Sequence, residues 1–169
     1  MQNQWQVAIS STADVVTARQ SGRALAMELG FDGSDLTLIA TAISEVARNI
    51  VEHATCGEIV MGPSHRGHQH GISIVARDHG PGIADVEQAM QFGFSTSRSL
   101  GAGLPGAKAL MDEFSIDSKV GHGTTVTMAK WRPQSVLTQC SKARSIRPNE
   151  VAARTAGHGR SAFGSSKEP

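Results

Sequence analysis

The feature that most restricts the fold is an apolar stripe over residues 38–50. Apolar side chains recur there every three or four residues, at Leu38, Ile39, Ala42, Ile43, Val46 and Ile50. This period predicts an α-helix with one buried face, and residues 31–34 (FDGS) supply a break and a cap at its start. Because such a face must be covered, the chain needs a second layer to pack against this helix.

Alternating apolar and polar residues predict that the second layer is a β-sheet. We expect five strands, at residues 5–9, 58–61, 71–76, 114–120 and 124–131. Further helices are expected at residues 12–29 and 85–91, and in the segment that contains Pro105. The predicted fold class is α+β: a two-layer sandwich with a mixed, mostly antiparallel sheet and helices on one face.

Two connections between strands carry turn signals. The segment 62–71 (GPSHRGHQHG) is expected to be the loop of a long hairpin, and Gly121-His122-Gly123 suits a tight turn with positive φ. Three histidines in the longer segment, His65, His68 and His70, leave two interpretations open. One is a metal site, and the other is a solvated loop.

Composition indicates a soluble cytoplasmic protein. The net charge of +1 gives no electrostatic case for nucleic acid, and the sequence contains neither an apolar run of membrane-spanning length nor a secretion signal. The two cysteines, Cys56 and Cys140, are expected to be free thiols. We expect residues 1–132 to form one domain. Residues 133–169, rich in Ser, Arg, Gly, Ala and Pro, are expected to be a low-complexity, disordered tail.

The first motif with chemical potential lies on the apolar helix. A spacing of four places Glu45 and Asn49 on one helical face, with His53 four residues further. An amide oxygen suits Mg²⁺ or its water ligands, and a carboxylate can act as a base. The alternative is an ordinary solvated helix flank.

The second motif, Asp78-His-Gly80-Pro-Gly82-Ile83, follows a predicted strand. A carboxylate at a strand end can accept a hydrogen bond from an amino group, such as the exocyclic amine of adenine. Gly80 and Gly82 remove side chains, so that a flat ring could approach the backbone. The alternative is an ordinary turn, since Pro and Gly are common in turns.

The third motif is the glycine-rich stretch 101–108 (GAGLPGAK). It fits G-x-G-x-x-G, but a loop-like segment precedes it where a dinucleotide-binding turn requires a strand, and Lys108 stands one place too late for a Walker loop. Gly101, Gly103 and Gly106 would let backbone N–H groups wrap an anion, Pro105 suits the first position of a helix, and Lys108 would add positive charge. The alternative is a flexible helix entry.

The order of the three motifs resembles the N, G1 and G2 boxes of the GHKL ATPases, the family that includes gyrase and the histidine kinases. Thr124 resembles the threonine that helps to hold adenine in that family. The resemblance extends over residues 5–131. It implies a Bergerat-type ATP site with Mg²⁺, in which Glu45 is the catalytic base and Asn49 holds the metal through ATP. It also implies a set of ATP-binding residues: Asn49, His53, Asp78, Gly80, Gly82, Ile83, Ser97, Gly101, Gly103, Leu104, Gly106, Lys108 and Thr124.

Within this family the segment 78–116 is most similar to the anti-sigma factor serine kinases, and in particular to the switch serine/threonine kinase of the bacterial stressosome. Residues 95–97 lie where that subgroup has a short ATP lid. The resemblance implies phosphorylation of Ser or Thr on a STAS-domain partner, followed by engagement of a downstream phosphatase or cyclase. Two alternatives stay open: an anti-sigma factor that sequesters a sigma factor, and a regulatory ATP binder without transfer activity.

Overall fold

The computed structural model describes residues 4–91 and 103–133, which form a five-stranded sheet with helices on one face. The strands are β1 (Trp5–Ile9), β2 (Gly57–Arg66), β3 (Gln69–Asp78), β4 (Glu113–Lys119) and β5 (Gly123–Trp131). Their order across the sheet is β1-β2-β3-β5-β4. The predicted α+β fold is confirmed. One detail differs, because all the pairings of these strands are antiparallel where a mixed sheet was expected.

The helices are α1 (Thr12–Glu28), α2 (Gly33–Asn49), α3 (Val86–Ala89) and α4 (Gly103–Leu110), and a π-helical turn (Ile50–Ala54) continues α2. Ser11 caps α1 in a capping box with Asp14. The Ser11 hydroxyl, followed by the amide and hydroxyl of Ser10, holds the pKa of the Asp14 carboxyl below its usual range. Within the ranges described, no helix is long and apolar enough to cross a membrane.

Helix α2 supplies the centre of the core. Ile39, Ile43 and Val46 are almost completely buried, against sheet residues that include Ile59, Met61, Ile72, Ile74 and Met128. The predicted stripe is confirmed except at its start, where Leu36 is buried and Leu38 is only half-buried. On α1, a Cβ at Gly22 would overlap the Ile43 side chain. Glycine at this position therefore allows α1 and α2 to pack closely.

The expected long loop at residues 62–71 is wrong. β2 and β3 continue to Arg66 and from Gln69, so that only Gly67 and His68 form the turn, with φ of 59° at Gly67. The neighbouring strand explains why a glycine stands inside β3. A Cβ at Gly71 would overlap the Lys130 carbonyl oxygen and lie 2.6 Å from the Trp131 ring, so β5 occupies the space that a side chain would need. Arg66 lies 5.2 Å from the centroid of that ring.

The other predicted turn is confirmed. Gly121 and Gly123 have φ of 77° and 92° in the connection between β4 and β5. A Cβ at Gly123 would overlap the Asp78 carbonyl oxygen, so this glycine also brings the β4–β5 turn against the end of β3. The predicted C-terminal tail lies outside the described residues and stays a prediction.

Candidate functional site

A cavity of about 460 Å³ lies where the end of α2, the end of β3, the start of α4 and β5 meet. This volume is within the ordinary range of small-molecule sites. Most of its wall is apolar, with a few polar side chains from four separate segments of the chain. The lining residues that bear on its chemistry are Asn49, His53, Asp78, Ile83, Gly103 and Thr124. The three sequence motifs therefore do converge on one cavity, although they lie as much as 54 residues apart, between Asn49 and Gly103.

Asp78 ends β3 at one side of the cavity. Its Oδ1 accepts hydrogen bonds from the backbone N–H of Gly80 at 2.8 Å and of Thr124 at 3.2 Å. Among the residues that the structure places, Oδ2 of the same carboxylate has no protein donor. Two fixed N–H groups thus orient the carboxylate and leave its second oxygen for a ligand donor.

Ser118 of β4, which belongs to none of the three sequence motifs, connects the two segments around Asp78. Its Oγ accepts the N–H of Ile83 at 2.8 Å, lies 2.9 Å from the Thr124 hydroxyl, and is 3.2 Å from the Gly123 carbonyl oxygen. A hydroxyl has one donor and two acceptor sites. All three are used if Thr124 donates to Ser118 and Ser118 donates to Gly123. In sequence, Ser118 is an ordinary serine in a strand of alternating residues, so no local signal indicates that it has this role.

The two glycines of the second motif have structural reasons that the sequence did not reveal. A Cβ at Gly80 would lie 2.6 Å from the Cβ of Ala54 in the π-helical turn. Gly82 has φ of 71°, and a Cβ there would overlap the Lys119 carbonyl oxygen. Protein packing therefore requires both glycines. Gly82 also lines the cavity, whereas Gly80 does not.

Asn49, at the end of α2, lines another part of the cavity wall. Its Nδ2 is buried and has no hydrogen-bond partner among the described residues. Leaving a buried donor unpaired costs about 1–3 kcal/mol. The geometry therefore favours a polar ligand at this point. Such a ligand would accept a hydrogen bond from the Asn49 amide nitrogen or bind to the Asn49 amide oxygen.

The π-helical turn that follows Asn49 brings His53 and Ala54 to the cavity wall. It ends at Thr55, whose φ of 69° and ψ of −43° are unusual for a β-branched residue. The N–H of Cys56 donates to the carbonyl of Ala54 at 2.7 Å. Thr55 is thus the central residue of a γ-turn with positive φ, a strained type. π-turns and strained residues cluster at functional sites.

Glu45 lies beside the cavity but does not line it, and it is only 6% exposed. Its Oε2 accepts the backbone N–H of Gly103, the first residue of α4, at 3.2 Å. Its Oε1 is 3.4 Å from a guanidinium nitrogen of Arg48, one helical turn away. The carboxylate is therefore covered by α4 and held by two donors.

Helix α4 presents Gly103, Leu104 and Pro105 to the cavity. Pro105 was predicted at the first position of the helix and is found at the third. It still lies in the first turn, where a residue without an N–H is tolerated. Gly106 and Lys108 do not line the cavity, and Lys108 is exposed in the last turn. The predicted residues Ser97 and Gly101 lie outside the described residues.

The histidines of the β2–β3 hairpin form no metal centre. His65 and His70 are cross-strand neighbours with ring centroids 4.7 Å apart. Across residues 4–91 and 103–133, no group of three or more His, Cys, Asp or Glu side chains could hold a metal ion. The metal interpretation of these histidines is therefore wrong for this part of the chain.

Comparisons with known proteins agree with the motif order. Residues 9–130 match the family described as the histidine kinase-like ATPase domain. The chain is 51% identical over 132 residues to the serine/threonine-protein kinase RsbT of Bacillus subtilis, covering 78% of this chain and 98% of that protein. It is 35% identical over 120 residues to the anti-sigma F factor of Anoxybacillus flavithermus, covering 67% and 81%. The chain belongs to the histidine kinase-like ATPase family, in the branch that contains these two proteins.

Proposed function

We propose that the protein is an ATP-dependent serine/threonine protein kinase of a bacterial partner-switching module that acts in the cytoplasm. The observation that carries the proposal is the convergence of Asp78, Asn49 and the start of α4 on one cavity. Similarity to a protein named serine/threonine-protein kinase supports transfer to a hydroxyl side chain. The cavity thus supplies a site for ATP, and the relative supplies the class of acceptor.

The Asp78 side of the cavity suits adenine. Its Oδ2, which has no donor among the described residues, would accept a hydrogen bond from the exocyclic amine, and the Thr124 side chain, oriented by Ser118, lies next to it. Ala76 and Val126 add apolar walls for the ring. Recognition then depends on a carboxylate that two backbone N–H groups already hold in place, so little ordering is needed on binding.

The Asn49 side suits the phosphates. The Nδ2 of Asn49, which has no partner among the described residues, is a donor. The Leu104 N–H lies in the first turn of α4, where anions are favoured, and the Gly103 N–H stands just before it at a residue with φ of 60°. The amide oxygen of Asn49 would suit Mg²⁺, bound directly or through one of its water ligands. A bound Mg²⁺ would neutralise charge on the phosphates. The fit to the ion rests on one hard oxygen ligand, the amide oxygen of Asn49 at the cavity wall, and the phosphates and water would supply the remaining ligands.

The proposed transfer requires a group that accepts a proton. The substrate hydroxyl oxygen would form a bond to the γ-phosphorus while the bond from that phosphorus to ADP breaks, and the hydroxyl proton would pass to Glu45. Glu45 is the carboxylate nearest to the start of α4, through its hydrogen bond with Gly103. Because Glu45 is buried, its carboxylate must become accessible before it can take the proton of a substrate hydroxyl.

We further propose a STAS-domain protein as the phosphate acceptor, and a phosphatase or cyclase as the downstream effector. The support is the similarity to RsbT together with the sequence resemblance to stressosome switch kinases. A second candidate function is sequestration of a sigma factor. It is favoured by the similarity to proteins named anti-sigma F factor, at 31% to 35% identity.

Phosphate transfer is the decisive experiment. The protein is incubated with Mg-ATP and a STAS-domain protein encoded beside it, and phosphoserine or phosphothreonine is located by mass spectrometry. Glu45→Ala should lose transfer while it still binds ATP, and Asp78→Asn should lose both. Asp117→Asn, an exposed carboxylate on β4 outside the cavity, is the matched control and should retain both.

The possible outcomes separate the candidates. ATP binding without transfer, combined with tight binding of a sigma factor, would replace the kinase proposal by sequestration. Unchanged ATP affinity in Asp78→Asn would show that the cavity is not the adenine site. Loss of transfer in Asp117→Asn as well would mean that the variants report general damage to the fold.

A further inference from the structure

The Glu45 carboxylate is seated at the N-terminus of α4. It accepts the N–H of Gly103, although the two residues are 58 positions apart. The carboxylate caps the start of α4 from a different element and lies near the positive end of the helix dipole. Gly103 has a φ of 60°, outside the helical range, so its N–H is not aligned with the helix axis as the N–H groups of regular helical residues are. Arg48 binds the other carboxylate oxygen, so the side chain spans α2 and α4.

The same helix terminus is the proposed phosphate-binding position. Of the first three residues of α4, only Gly103 and Leu104 have backbone N–H groups, because the third is Pro105. Glu45 uses the N–H of Gly103. A phosphate that binds both N–H groups would need the donor that the carboxylate occupies, and two anions on one donor repel each other.

We propose that Glu45 and the outer phosphates of the nucleotide compete for the N-terminus of α4, so that nucleotide binding releases the Glu45 carboxylate. The inference rests on the proposed ATP site. It accounts for the burial of the expected base, since α4 covers the carboxylate for as long as Gly103 holds it. Arg48, about one-third exposed, lies on the same helix as Glu45, so its contact with the carboxylate does not depend on α4.

The test compares nucleotide affinity in two charge-removing variants. Glu45→Gln keeps the size of the side chain but weakens the cap, and a non-hydrolysable ATP analogue with Mg²⁺ should bind about threefold to tenfold more tightly. Glu52→Gln is the matched control. Glu52 is an exposed carboxylate that lines the cavity and has no hydrogen bond to α4 among the described residues. It should change the affinity much less. AMP, which lacks the outer phosphates, should bind wild type and Glu45→Gln equally.

A measurement on the wild-type chain avoids dependence on the variants. Saturation with the analogue should shift the NMR signals of both the Gly103 amide and the Glu45 carboxylate carbon, whereas AMP should leave both nearly unchanged. If Glu45→Gln and Glu52→Gln raised the affinity for the ATP analogue equally, the cause would be general repulsion between carboxylates and phosphates. That result would overturn the proposed competition. An unshifted Glu45 carbon signal would also overturn it. A wild-type chain that binds neither nucleotide would instead refute the ATP site itself, and the competition with it.

Discussion

Ser118→Ala gives the sharpest test of how the Asp78 side of the cavity is built. The substitution removes the acceptor of the Ile83 N–H, the partner of the Thr124 hydroxyl and the donor to the Gly123 carbonyl. A buried donor without a partner costs about 1–3 kcal/mol. Because Ile83 is half-buried and water can reach part of the gap, we expect about 2 kcal/mol of lost unfolding free energy.

The assay is chemical and thermal unfolding of three proteins: wild type, Ser118→Ala and Ser115→Ala. For a chain of 169 residues, about 2 kcal/mol corresponds to a fall in Tm of about 4–8 °C. Ser115 is the matched control, since it lies on the same strand but is exposed on the opposite face. Its replacement should change stability by less than about 0.5 kcal/mol.

The same pair of variants reports on the ligand site. In Ser118→Ala the Thr124 hydroxyl and the Ile83 segment lose their common partner, so affinity for an adenine nucleotide should fall together with stability. Equal stability and equal affinity in Ser118→Ala and Ser115→Ala would refute the reasoning. That result would mean that the serine hydroxyl does not organise this side of the cavity.

Three further predictions each rest on one local feature of the structure. Asp78→Asn should raise the Kd of an ATP analogue by about tenfold or more, measured by calorimetry against Asp117→Asn, because hydrogen bonds to charged groups contribute about 1.5–3 kcal/mol. Thr55→Gly should raise the unfolding free energy by about 1 kcal/mol in urea, since it relieves a strained positive φ at some entropic cost; a less stable variant would contradict the strain. The hydroxyl of Ser11 lowers the pKa of Asp14, so this carboxylate stabilises the fold above its ordinary pKa of about 3.9 and loses that contribution as the pH falls through the lower folded value. Asp14→Asn should therefore lower the Tm near pH ~7 and converge with wild type at the acidic end, and a constant difference at all pH values would refute the linkage.

Local periodicity was sufficient to predict the layers of the fold. The stripe on α2 and the alternation in β1, β4 and β5 each depend on burial of one face, which sequence spacing records directly. The short turn between β2 and β3 was not predicted, because it depends on contacts with residues far away in sequence. Gly71 is a loop signal in sequence, but its place in the strand is explained by Lys130 and Trp131 of β5, which come 59 and 60 residues later.

The candidate site was predictable in part. Residues such as Asp78, Asn49 and Gly103 stand in motifs whose spacing points to nucleotide chemistry, and the structure brings them to one cavity. Ser118, the π-helical turn and the cap of α4 by Glu45 could not be found in this way. They arise from contacts between segments far apart in sequence, and an isolated serine or glutamate carries no mark of such a contact.

The two parts of the cavity are held by different contacts. Around Asp78, the part proposed to bind adenine rests on strands β3, β4 and β5, joined by hydrogen bonds of 2.8 to 3.2 Å that all involve main-chain atoms or the Ser118 hydroxyl. The part next to α4 is held by the packing of Leu104 and Ala107 against the hydrophobic core and by the hydrogen bond from Gly103 to Glu45. In the proposed site, recognition of the base and handling of the phosphates are therefore separable. Changes around Ser118 should weaken every adenine nucleotide alike, whereas changes along the α2–α4 contact should affect only nucleotides that carry outer phosphates.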